Sequence, residues 1–502
     1  MFDFSAIADG FALLFTDWTT WSLVIPGLII GLVFGVIPGL QTSMAMAMFL
    51  PITFALDFLT AILFLTAIFT GGMFGGGITA LLMNIPGTSS AVATTFDGYP
   101  MTLKGLHNEA LGLALGASCI GCILGYTVLM LLIQPLTGVV LSLGPTEMFV
   151  IILWGLTLIA TLGEGYVIRS LLIGVAGLLV GTIGMSATGV IRGTFGSPYL
   201  LDGVAIIPAM IGMFAASELF GLPKAAAISG SQHTKAIDLR GVVRGLGQSR
   251  GRMGTIIRGS LIGTIVGAVP GVGSSVANLV SYGSAKRRSK DPGSFGKGNP
   301  DGLAASESAN SSSEGGGMVS LFALGIPGGA GTAVLLAAFS IHNVTGGPRF
   351  MAEKADVIYA IILANIAQAI LLLIVGLLLL PLLATIVRVP RTVLGPSVLV
   401  MATFGCFGIT GDLTGPTTLL VFSAVGFVLR KYRYSVAAAV IGMLLGGMAE
   451  SELLRSYQIS GGQFSYILGR PITLALLAML VGSLLLPYWL ARIKARASMA
   501  AS

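Results

Sequence analysis

Small hydroxyl and amide side chains cluster at four places along the chain, each beside a Pro-Gly pair or a run of glycines. The four clusters are Gln41-Thr42-Ser43, Asn84 with Thr88-Ser89-Ser90, Ser274-Ser275 with Asn278, and Thr332. A helix that restarts after a break points unpaired N–H groups and a positive dipole end at the gap, and hydroxyl and amide groups add neutral donors. Such a set can bind a carboxylate without a buried arginine. The alternative is that these residues only pack helices closely, but four clusters together favour ligand contact.

Two acids lie in the segment Glu307-Ser-Ala-Asn310-Ser-Ser-Ser313-Glu314-Gly-Gly-Gly. Acids inside a membrane are costly and usually mark coupling to protons or cations. Glu314 is therefore the predicted coupling residue, and a solvated loop is the alternative. Oxygens of Asn310 and Ser313 suit sodium equally well. The coupling ion is thus H⁺ or Na⁺, and no other metal site or cofactor is predicted.

Other reactive residues have less specific surroundings. Asp97 lies in Asp-Gly-Tyr-Pro, and Asp-Gly with a nearby proline typically forms a turn, here at a membrane surface. His342 lies near the end of an apolar run, where histidine is more often an interface residue than a proton relay. Cys119, Cys122 and Cys406 lie within apolar runs, which indicates packing rather than a disulfide, zinc or redox site.

The polar clusters belong to two sequence patterns that each occur twice. Gly31, Gly35, Pro38-Gly39 and Ser43 match Gly263, Gly267, Pro270-Gly271 and Ser275, while Gly75-Gly76 with Asn84-Ile-Pro86-Gly87 matches Gly316-Gly317 with Gly325-Ile-Pro327-Gly328. Proline removes a backbone donor, so each Pro-Gly pair is expected to break a helix inside the membrane, where it must face protein or water. Two halves with breaks at matching positions are typical of secondary transporters, whose site lies where the halves meet.

The predicted substrate-binding residues are those at the breaks: Pro38, Gly39, Thr42, Ser43, Asn84, Pro86, Gly87, Thr88, Ser89, Pro270, Gly271, Ser274, Ser275, Pro327 and Gly328. Bases follow the Pro-Gly pair of the second half, at Lys286, Arg287, Arg288 and Lys290, and have no counterpart in the first half. This asymmetry favours halves of opposite orientation.

The elements that must position these residues are strongly hydrophobic. The 502-residue chain is 55% hydrophobic and 9% charged, with a mean hydropathy of +0.94, which excludes a water-soluble fold. Its charge-free runs are long and continuous rather than alternating, so helices are predicted and a transmembrane barrel is not. We expect an all-α polytopic membrane protein with roughly ten to twelve hydrophobic elements, some of them broken, in two related and inverted halves.

A basic stretch separates the two halves. Residues 222–258 carry seven Lys or Arg side chains and one Asp, which predicts a cytoplasmic connecting loop. Nucleic-acid binding explains this stretch less well, because it lies between membrane segments without interleaved aromatic residues. The predicted organisation is a first membrane repeat at 1–221, the loop at 222–258 and a second membrane repeat at 259–502.

At the same motifs the chain resembles the large membrane subunit of the tripartite tricarboxylate transporters. The resemblance spans nearly the whole length and rests on Gly35-Val-Ile-Pro38-Gly39, Asn84-Ile-Pro86-Gly87-Thr88 through Asp97-Gly98-Tyr99-Pro100, Gly267-Ala-Val-Pro270-Gly271-Val-Gly-Ser-Ser275, Glu307-Ser-Ala-Asn310 through Glu314-Gly-Gly-Gly, and Gly325-Ile-Pro327-Gly328. It implies a permease of the bacterial inner membrane for citrate-like tricarboxylates or related organic acids, driven by a proton or sodium gradient. The implied partners are a small membrane subunit and a periplasmic solute-binding protein. The motifs leave the choice among organic anions open.

An intramembrane enzyme and a passive anion channel are the alternatives to a secondary active transporter. The chain contains no HExxH and no GxSxG, and Gly408-Ile-Thr-Gly411-Asp412 falls short of the GxGD pattern of intramembrane aspartyl proteases. A channel rarely needs duplicated, interrupted halves. The glycine-rich segments at 271–273 and 328–331 lack the spacing of a P-loop, so ATP-driven transport is not predicted. The chain is therefore predicted to transport its substrate without being an enzyme.

Overall fold

The computed structural model describes residues 4–16, 18–37, 40–162, 167–186, 188–217, 237–270, 273–386, 391–463 and 465–483. Its helices are α1 Phe4–Thr16, α2 Thr19–Val36, α3 Thr42–Phe49, α4 Phe58–Met83, α5 Val92–Leu103, α6 His107–Val140, α7 Pro145–Leu162, α8 Val167–Gly181, α9 Ile206–Ile211, α10 Leu239–Gly251, α11 Met253–Gly267, α12 Gly273–Arg288, α13 Pro300–Leu324, α14 Ala330–Ile341, α15 Pro348–Glu353, α16 Ala355–Ile386, α17 Arg391–Thr410, α18 Thr414–Lys431, α19 Val436–Ile459, α20 Ser465–Leu468 and α21 Pro471–Ser483.

Shorter elements join these helices. Single 3-10 turns lie at Leu50–Ala55, Ser89–Ala91, Pro198–Leu200 and Pro292–Ser294, and a π-helical turn lies at Gly212–Ala216. Strands β1 (Gly184–Met185) and β2 (Ile191–Arg192) pair antiparallel in a small hairpin. Of the sequence predictions, Pro38, Gly39 and Gly271, together with residues 222–236 of the connecting loop, lie outside the described residues.

The helices make this an all-α, multi-pass membrane protein, as the composition predicts. Within the described residues, five helices are long and apolar enough to cross a membrane, namely Thr19–Val36, Phe58–Met83, His107–Val140, Ala355–Thr385 and Val436–Ile459, and nine shorter apolar helices accompany them. Helix α13 is as long as α4 but carries a polar and acidic sequence, and almost all of its residues are buried. A polar helix of this length can lie in the membrane because protein, rather than lipid, surrounds it.

In each half, a helical hairpin precedes the long central helix. In the first half, α2 runs parallel to α4, and the chain returns through α3 and the 3-10 turn to the start of α4. The direction follows from the contacts, because Gly27, Gly31 and Gly35 of α2 lie in the same sequence order against Ala67, Ile68 and Gly76 of α4. Glycine at these positions lets the two backbones approach closely, which is how membrane helices commonly associate.

The second half repeats this arrangement with α11, α12 and α13. Gly259, Gly263 and Gly267 of α11 lie against Ala305, Ala309 and Ser313 of α13, so these two helices are parallel. Helix α12 returns beside them, because Ser281 Oγ in the middle of the helix donates a 2.7 Å hydrogen bond to the carbonyl oxygen of Ala305. Pro270, the last described residue before α12, is buried.

Each half also has a second break, after its long central helix. Helices α4 and α13 end at Asn84 and Gly325, which adopt left-handed backbone angles (φ 58° and 68°). The chain then turns back inward, so that Gly87 N–H donates to the carbonyl oxygen of Gly76 and Gly328 lies against Gly317. Helices α5 and α14 start from these inner positions and run outward again.

The two central helices run in opposite directions. From one end of their contact to the other, Thr70, Met73 and Gly77 of α4 lie against Glu314, Asn310 and Glu307 of α13. Because α4 and α13 occupy equivalent positions in the sequence repeat, this antiparallel order means that the central segments of the two halves are inverted.

Helices α7, α8 and α19 pack outside this centre. Gly174, Gly177 and Gly181 of α8 lie against the backbone of α19. Glu147 in the first turn of α7 is buried, pairs with Arg470 at 2.7 Å and accepts a 2.6 Å hydrogen bond from Thr473. These contacts connect the first half to the end of the chain.

Part of the predicted connecting loop is helical. Helix α10 (Leu239–Gly251) begins at Asp238, whose carboxylate accepts from the N–H groups of Arg240 and Gly241. Gly245 of α10 packs against Glu109 of α6, and Arg244 pairs with Glu109 at 3.4 Å. The basic residues of this stretch thus lie on a helix that is held to the start of α6.

The turn expected at Asp97 is wrong. Asp97 is buried within helix α5, where its Oδ1 accepts hydrogen bonds from the N–H groups of Gly296, Gly298 and Asn299 at 2.7–2.9 Å. These three bonds join the halves and outweigh the local turn preference of Asp-Gly. His342 caps the end of α14 and packs edge-on against Phe58 at 5.8 Å.

Candidate functional site

A cavity of about 200 Å³ lies where the breaks of the two halves meet. Four helical segments begin at its wall: α3 at Thr42, the turn leading into α5 at Ser89, α12 at Gly273 and α14 at Ala330. The lining consists of Gln41, Thr42, Ser43, Phe69, Met73, Thr88, Ser89, Ser90, Gly267, Gly273, Ser274, Ser275, Ser313, Gly317, Gly328, Gly329, Ala330, Gly331, Thr332, Ala437 and Ile441.

Each segment presents its N-terminal end to the cavity, and at Ser89 the N–H donates to Gln41 Oε1 at 3.4 Å. The first N–H groups of a helix have no partner within it, and the N-cap residues Gln41 and Thr88 make no side-chain cap at α3 and at the turn before α5. At α14 the hydroxyl of Thr332 accepts the N–H of Gly329 instead. The positive ends of four helix dipoles therefore converge on one space.

Hydroxyl groups connect the two halves across this space. Ser275 Oγ of the second half donates to Ser89 Oγ of the first half at 3.1 Å, and the hydroxyls of Thr88 and Ser90 are 2.9 Å apart. Thr42 Oγ1 is buried and has no hydrogen-bond partner, although its residue lines the cavity. A buried hydroxyl normally has a partner, so Thr42 Oγ1, which packs against Gly72 of α4, has unused hydrogen-bonding capacity at the cavity wall.

The described lining contains no Lys, Arg, His, Asp or Glu side chain. Its apolar part comes from Phe69 and Met73 of α4 and from Ala437 and Ile441 of α19. Such a cavity offers oxygen-bound hydrogens and backbone N–H groups to an anion, together with an apolar wall for its carbon atoms.

Seven of the predicted substrate-binding residues line this cavity: Thr42, Ser43, Thr88, Ser89, Ser274, Ser275 and Gly328. Five others lie outside the lining, namely Asn84, Pro86, Gly87, Pro270 and Pro327. Asn84 is exposed at the left-handed end of α4. The prolines and Gly87 belong to the turns at the breaks. The residues that follow these turns line the cavity.

Several lining residues lie beyond the predicted set. Phe69 and Met73 are one turn apart on α4, where their apolar character gives no signal of a site. Ala437 and Ile441 belong to α19, and nothing in the sequence indicates that this helix reaches the breaks. Gln41, Ser90 and Thr332 belong to the four polar clusters of the sequence, but the predicted substrate-binding set does not include them.

Glu314 lies beside the cavity, in the middle of α13. It is buried, and its carboxylate accepts from Thr70 Oγ1 at 2.8 Å and from Tyr126 Oη at 2.9 Å. The alternative of a solvated loop is therefore wrong. Glu314 is adjacent in sequence to the lining residue Ser313, and its partner Thr70 is adjacent to the lining residue Phe69. The carboxylate therefore lies next to the cavity without lining it.

The two other predicted coupling residues lie on the same helix. Asn310 Nδ2 donates to the carbonyl oxygen of Met73 at 3.1 Å, and its Oδ1 is buried without a partner. Ser313 Oγ donates to the carbonyl oxygen of Asn310 at 2.6 Å. No group of three or more His, Cys, Asp or Glu side chains that could hold a metal ion occurs among the described residues.

Comparison with known proteins gives these features a family. Residues 22–441 match the model of the "Tripartite tricarboxylate transporter TctA family". The chain belongs to this family. The resemblance seen in the Pro-Gly motifs is thereby confirmed, and the match includes all four breaks, both central helices and the part of α19 that lines the cavity.

Two relatives of this TctA-family chain come from Agrobacterium vitis. An uncharacterised 52.8 kDa protein in the TAR-I ttuC' 3' region is 32% identical over 464 residues, which cover 91% of both chains. An uncharacterised protein in the TAR-II ttuC' 3' region is 30% identical over 217 residues, which cover 43% of this chain and 90% of the relative. No solved structure matches the chain.

Proposed function

We propose that this chain is the permease subunit of a tripartite secondary transporter and moves citrate, another tricarboxylate or a related organic acid across the inner membrane. The observation that carries the proposal is the convergence of four helix N-termini, from two inverted segments, on one uncharged cavity beside a buried carboxylate. Family membership supports the same function.

The cavity fits a small organic anion. Drug-sized ligands occupy pockets of about 300–1,000 Å³, and this cavity is smaller, at about 200 Å³. Carboxylates would accept from the N–H groups of α3 and α12 and from the hydroxyls of Thr42 and Ser275. Because no arginine or lysine has to be separated from the ligand, binding and release can both be rapid.

Coupling would act through Glu314. A buried carboxylate without a counter-charge is unfavourable, so it gains stability from a proton or a sodium ion. Its contacts with Thr70 and Tyr126 hold α13 against α4 and α6. A change in its charge would therefore alter the packing next to the cavity, and inverted segments of this kind can expose a central site to either face in turn.

The distribution of bases suggests the orientation. Lys104, Arg240, Arg244, Lys286, Arg287 and Arg288 lie on the face that holds the ends of α5 and α12 and the starts of α6 and α13. By the positive-inside rule this face is cytoplasmic. The opposite face would receive substrate from the periplasmic solute-binding protein, and the small membrane subunit would complete the transporter.

Uptake of radiolabelled citrate into proteoliposomes tests this proposal. The vesicles contain this chain and its small membrane partner, with or without the solute-binding protein, under an imposed proton or sodium gradient. We expect saturable uptake that depends on the receptor and on one of the gradients. Uptake that persists without any gradient would favour a channel, and chemical conversion of citrate without translocation would favour an enzyme.

A further inference from the structure

Glu307 is a second buried carboxylate on α13, and it lies outside the cavity. Its side chain accepts hydrogen bonds from Thr94 Oγ1 and from Ser118 Oγ, the latter at 3.0 Å, and lies against the backbone of Gly77. Within the described residues, Glu307 belongs to none of the ion pairs. Two neutral donors do not balance a buried negative charge, so the group is stable only when it binds a proton or a cation.

Glu307, Asn310 and Glu314 form a row on the face of α13 that is turned toward α4. Their positions differ by three and four residues, and they lie against Gly77, Met73 and Thr70 in that order. Seven residues of helix separate the two carboxylates by about 10 Å along the axis. Asn310 stands between them.

Two oxygen atoms in this region have no donor. Asn310 Oδ1 and Ser311 Oγ are buried and lack any hydrogen-bond partner in the structure. Buried acceptors are nearly always paired, and a protonated carboxyl carries an O–H group that an ionised carboxylate lacks. Asn310 and Ser311 are each three or four residues from Glu307 and from Glu314 on α13, and a protonated carboxyl has the donor that these oxygens lack.

We propose that Glu307 is a second proton-binding site of the transport cycle. This inference rests on the proposed transport function. During the cycle one proton moves from water on one face to a carboxylate oxygen of Glu307 and later leaves to water on the other face, with no other bond formed or broken. A sodium ion fits less well, because hard cations take about six oxygen ligands, and the carboxylate of Glu307 with the two hydroxyls and the amide oxygen of Asn310 supplies at most five.

Other titratable groups lie on the helices packed around Glu307. They include Asp97 of α5, His107, Glu109, Cys119, Cys122 and Tyr126 of α6, Tyr282 of α12, and Asp301 and Glu314 of α13 itself. The carboxylate of Asp97 is held by three backbone N–H groups, and Tyr126 is bonded to Glu314. Only Glu307 and Glu314 thus combine burial within α13 with a carboxyl group whose donors are all hydroxyls.

The number of protons carried per substrate tests the proposal. It is obtained in proteoliposomes from the accumulation ratio of labelled citrate at several pH differences, because each coupled proton changes that ratio about tenfold per pH unit. We expect Glu307→Gln, which imitates the protonated acid, to carry one proton fewer than the wild type while it still exchanges citrate. Glu109→Gln, which changes an acid paired with Arg244 on α10, is the control and should retain the wild-type number.

An unchanged proton number in Glu307→Gln would overturn the proposal. If that variant does not fold, Thr94→Val keeps the acid and removes one donor. We expect it to shift one carboxyl band in the infrared difference spectrum between acid and alkaline pH. A spectrum identical to that of the wild type would likewise count against Glu307. The infrared measurement needs no transport, so a wild type without gradient-driven uptake would defeat the proposed function separately.

Discussion

Helices α4 and α13 occupy the same place in the two halves but differ in chemistry. The repeated Gly-Gly pairs align Met73 of α4 with Glu314 of α13 and Phe69 with Asn310. A helical hairpin packs against each of them through glycine residues, and each ends at a residue with left-handed backbone angles. Only α13 carries buried acids and a row of serines, whereas the corresponding part of α4 supplies an apolar wall to the cavity.

This difference separates two tasks. The backbone, which the repeat preserves, builds the four helix starts that face the cavity. The side chains of a single helix, which the repeat does not preserve, supply the groups that can change charge. Substitutions at matched positions in the two halves should therefore have equal effects when they act on backbone packing and unequal effects when they act on coupling.

The largest expected effect is a loss of stability that is equal in both halves. A Cβ at Gly31 would lie 2.2 Å from the carbonyl oxygen of Ile68, and one at Gly263 would lie 2.3 Å from that of Ala309. We expect Gly31→Ala and Gly263→Ala each to destabilise the protein by about 1–3 kcal/mol, measured as a lower thermal transition in detergent. Gly447→Ala on α19 has open space and serves as the control. A large loss in one half only would contradict the shared packing.

The second prediction concerns the half that carries the acids. Glu314→Gln keeps the shape of the side chain but cannot ionise, so gradient-driven uptake should fall at least about tenfold. Exchange of labelled for unlabelled citrate should persist. Glu353→Gln alters an exposed acid paired with Arg349 and should behave like the wild type. An unaltered gradient dependence in Glu314→Gln would remove Glu314 from the mechanism.

A smaller effect is expected where the halves touch across the cavity. Ser275→Ala and Ser89→Ala each remove one side of the same 3.1 Å hydrogen bond. Loss of about 1 kcal/mol corresponds to a roughly fivefold higher KM for uptake. The double variant should be little worse than either single one, since the two residues share the bond. Ser451→Ala, on the exposed face of α19, is the control, and fully additive effects would show that the two serines act independently.

The smallest expected effect is on thermal stability, and it concerns the residues that end α4 and α13. Asn84 and Gly325 both have positive φ, which costs an alanine about 1 kcal/mol or more. We expect Asn84→Ala to lower thermal stability by about this amount and Asn84→Gly to leave it unchanged, without a change in KM in either case. If both variants raised the KM for citrate, Asn84 would be a substrate-binding residue after all, as the sequence motif suggests.

The sequence was sufficient to predict where the helices break, but not which helices meet at the cavity. Proline alone does not end a helix, since Pro26, in a Pro-Gly pair of its own, lies inside α2. The Pro-Gly pairs within the repeat do predict where helices end, because there proline removes a backbone donor. They do not determine which helices become neighbours, so the approach of Ala437 and Ile441 to the cavity had no signal. The error at Asp97 has the same origin, because three N–H groups from the segment before α13 decide its conformation.

The buried pair of Glu147 and Arg470 has a consequence for biosynthesis. Thr473, which also bonds Glu147, follows it by 326 residues, so at about 5–20 residues per second the acid waits roughly 15–65 s for its partners. During that time α7 holds a charge without its ion-pair partner at its first turn. Shortening the chain before α21 would make this interval permanent, and such a product should be an early target for membrane quality control.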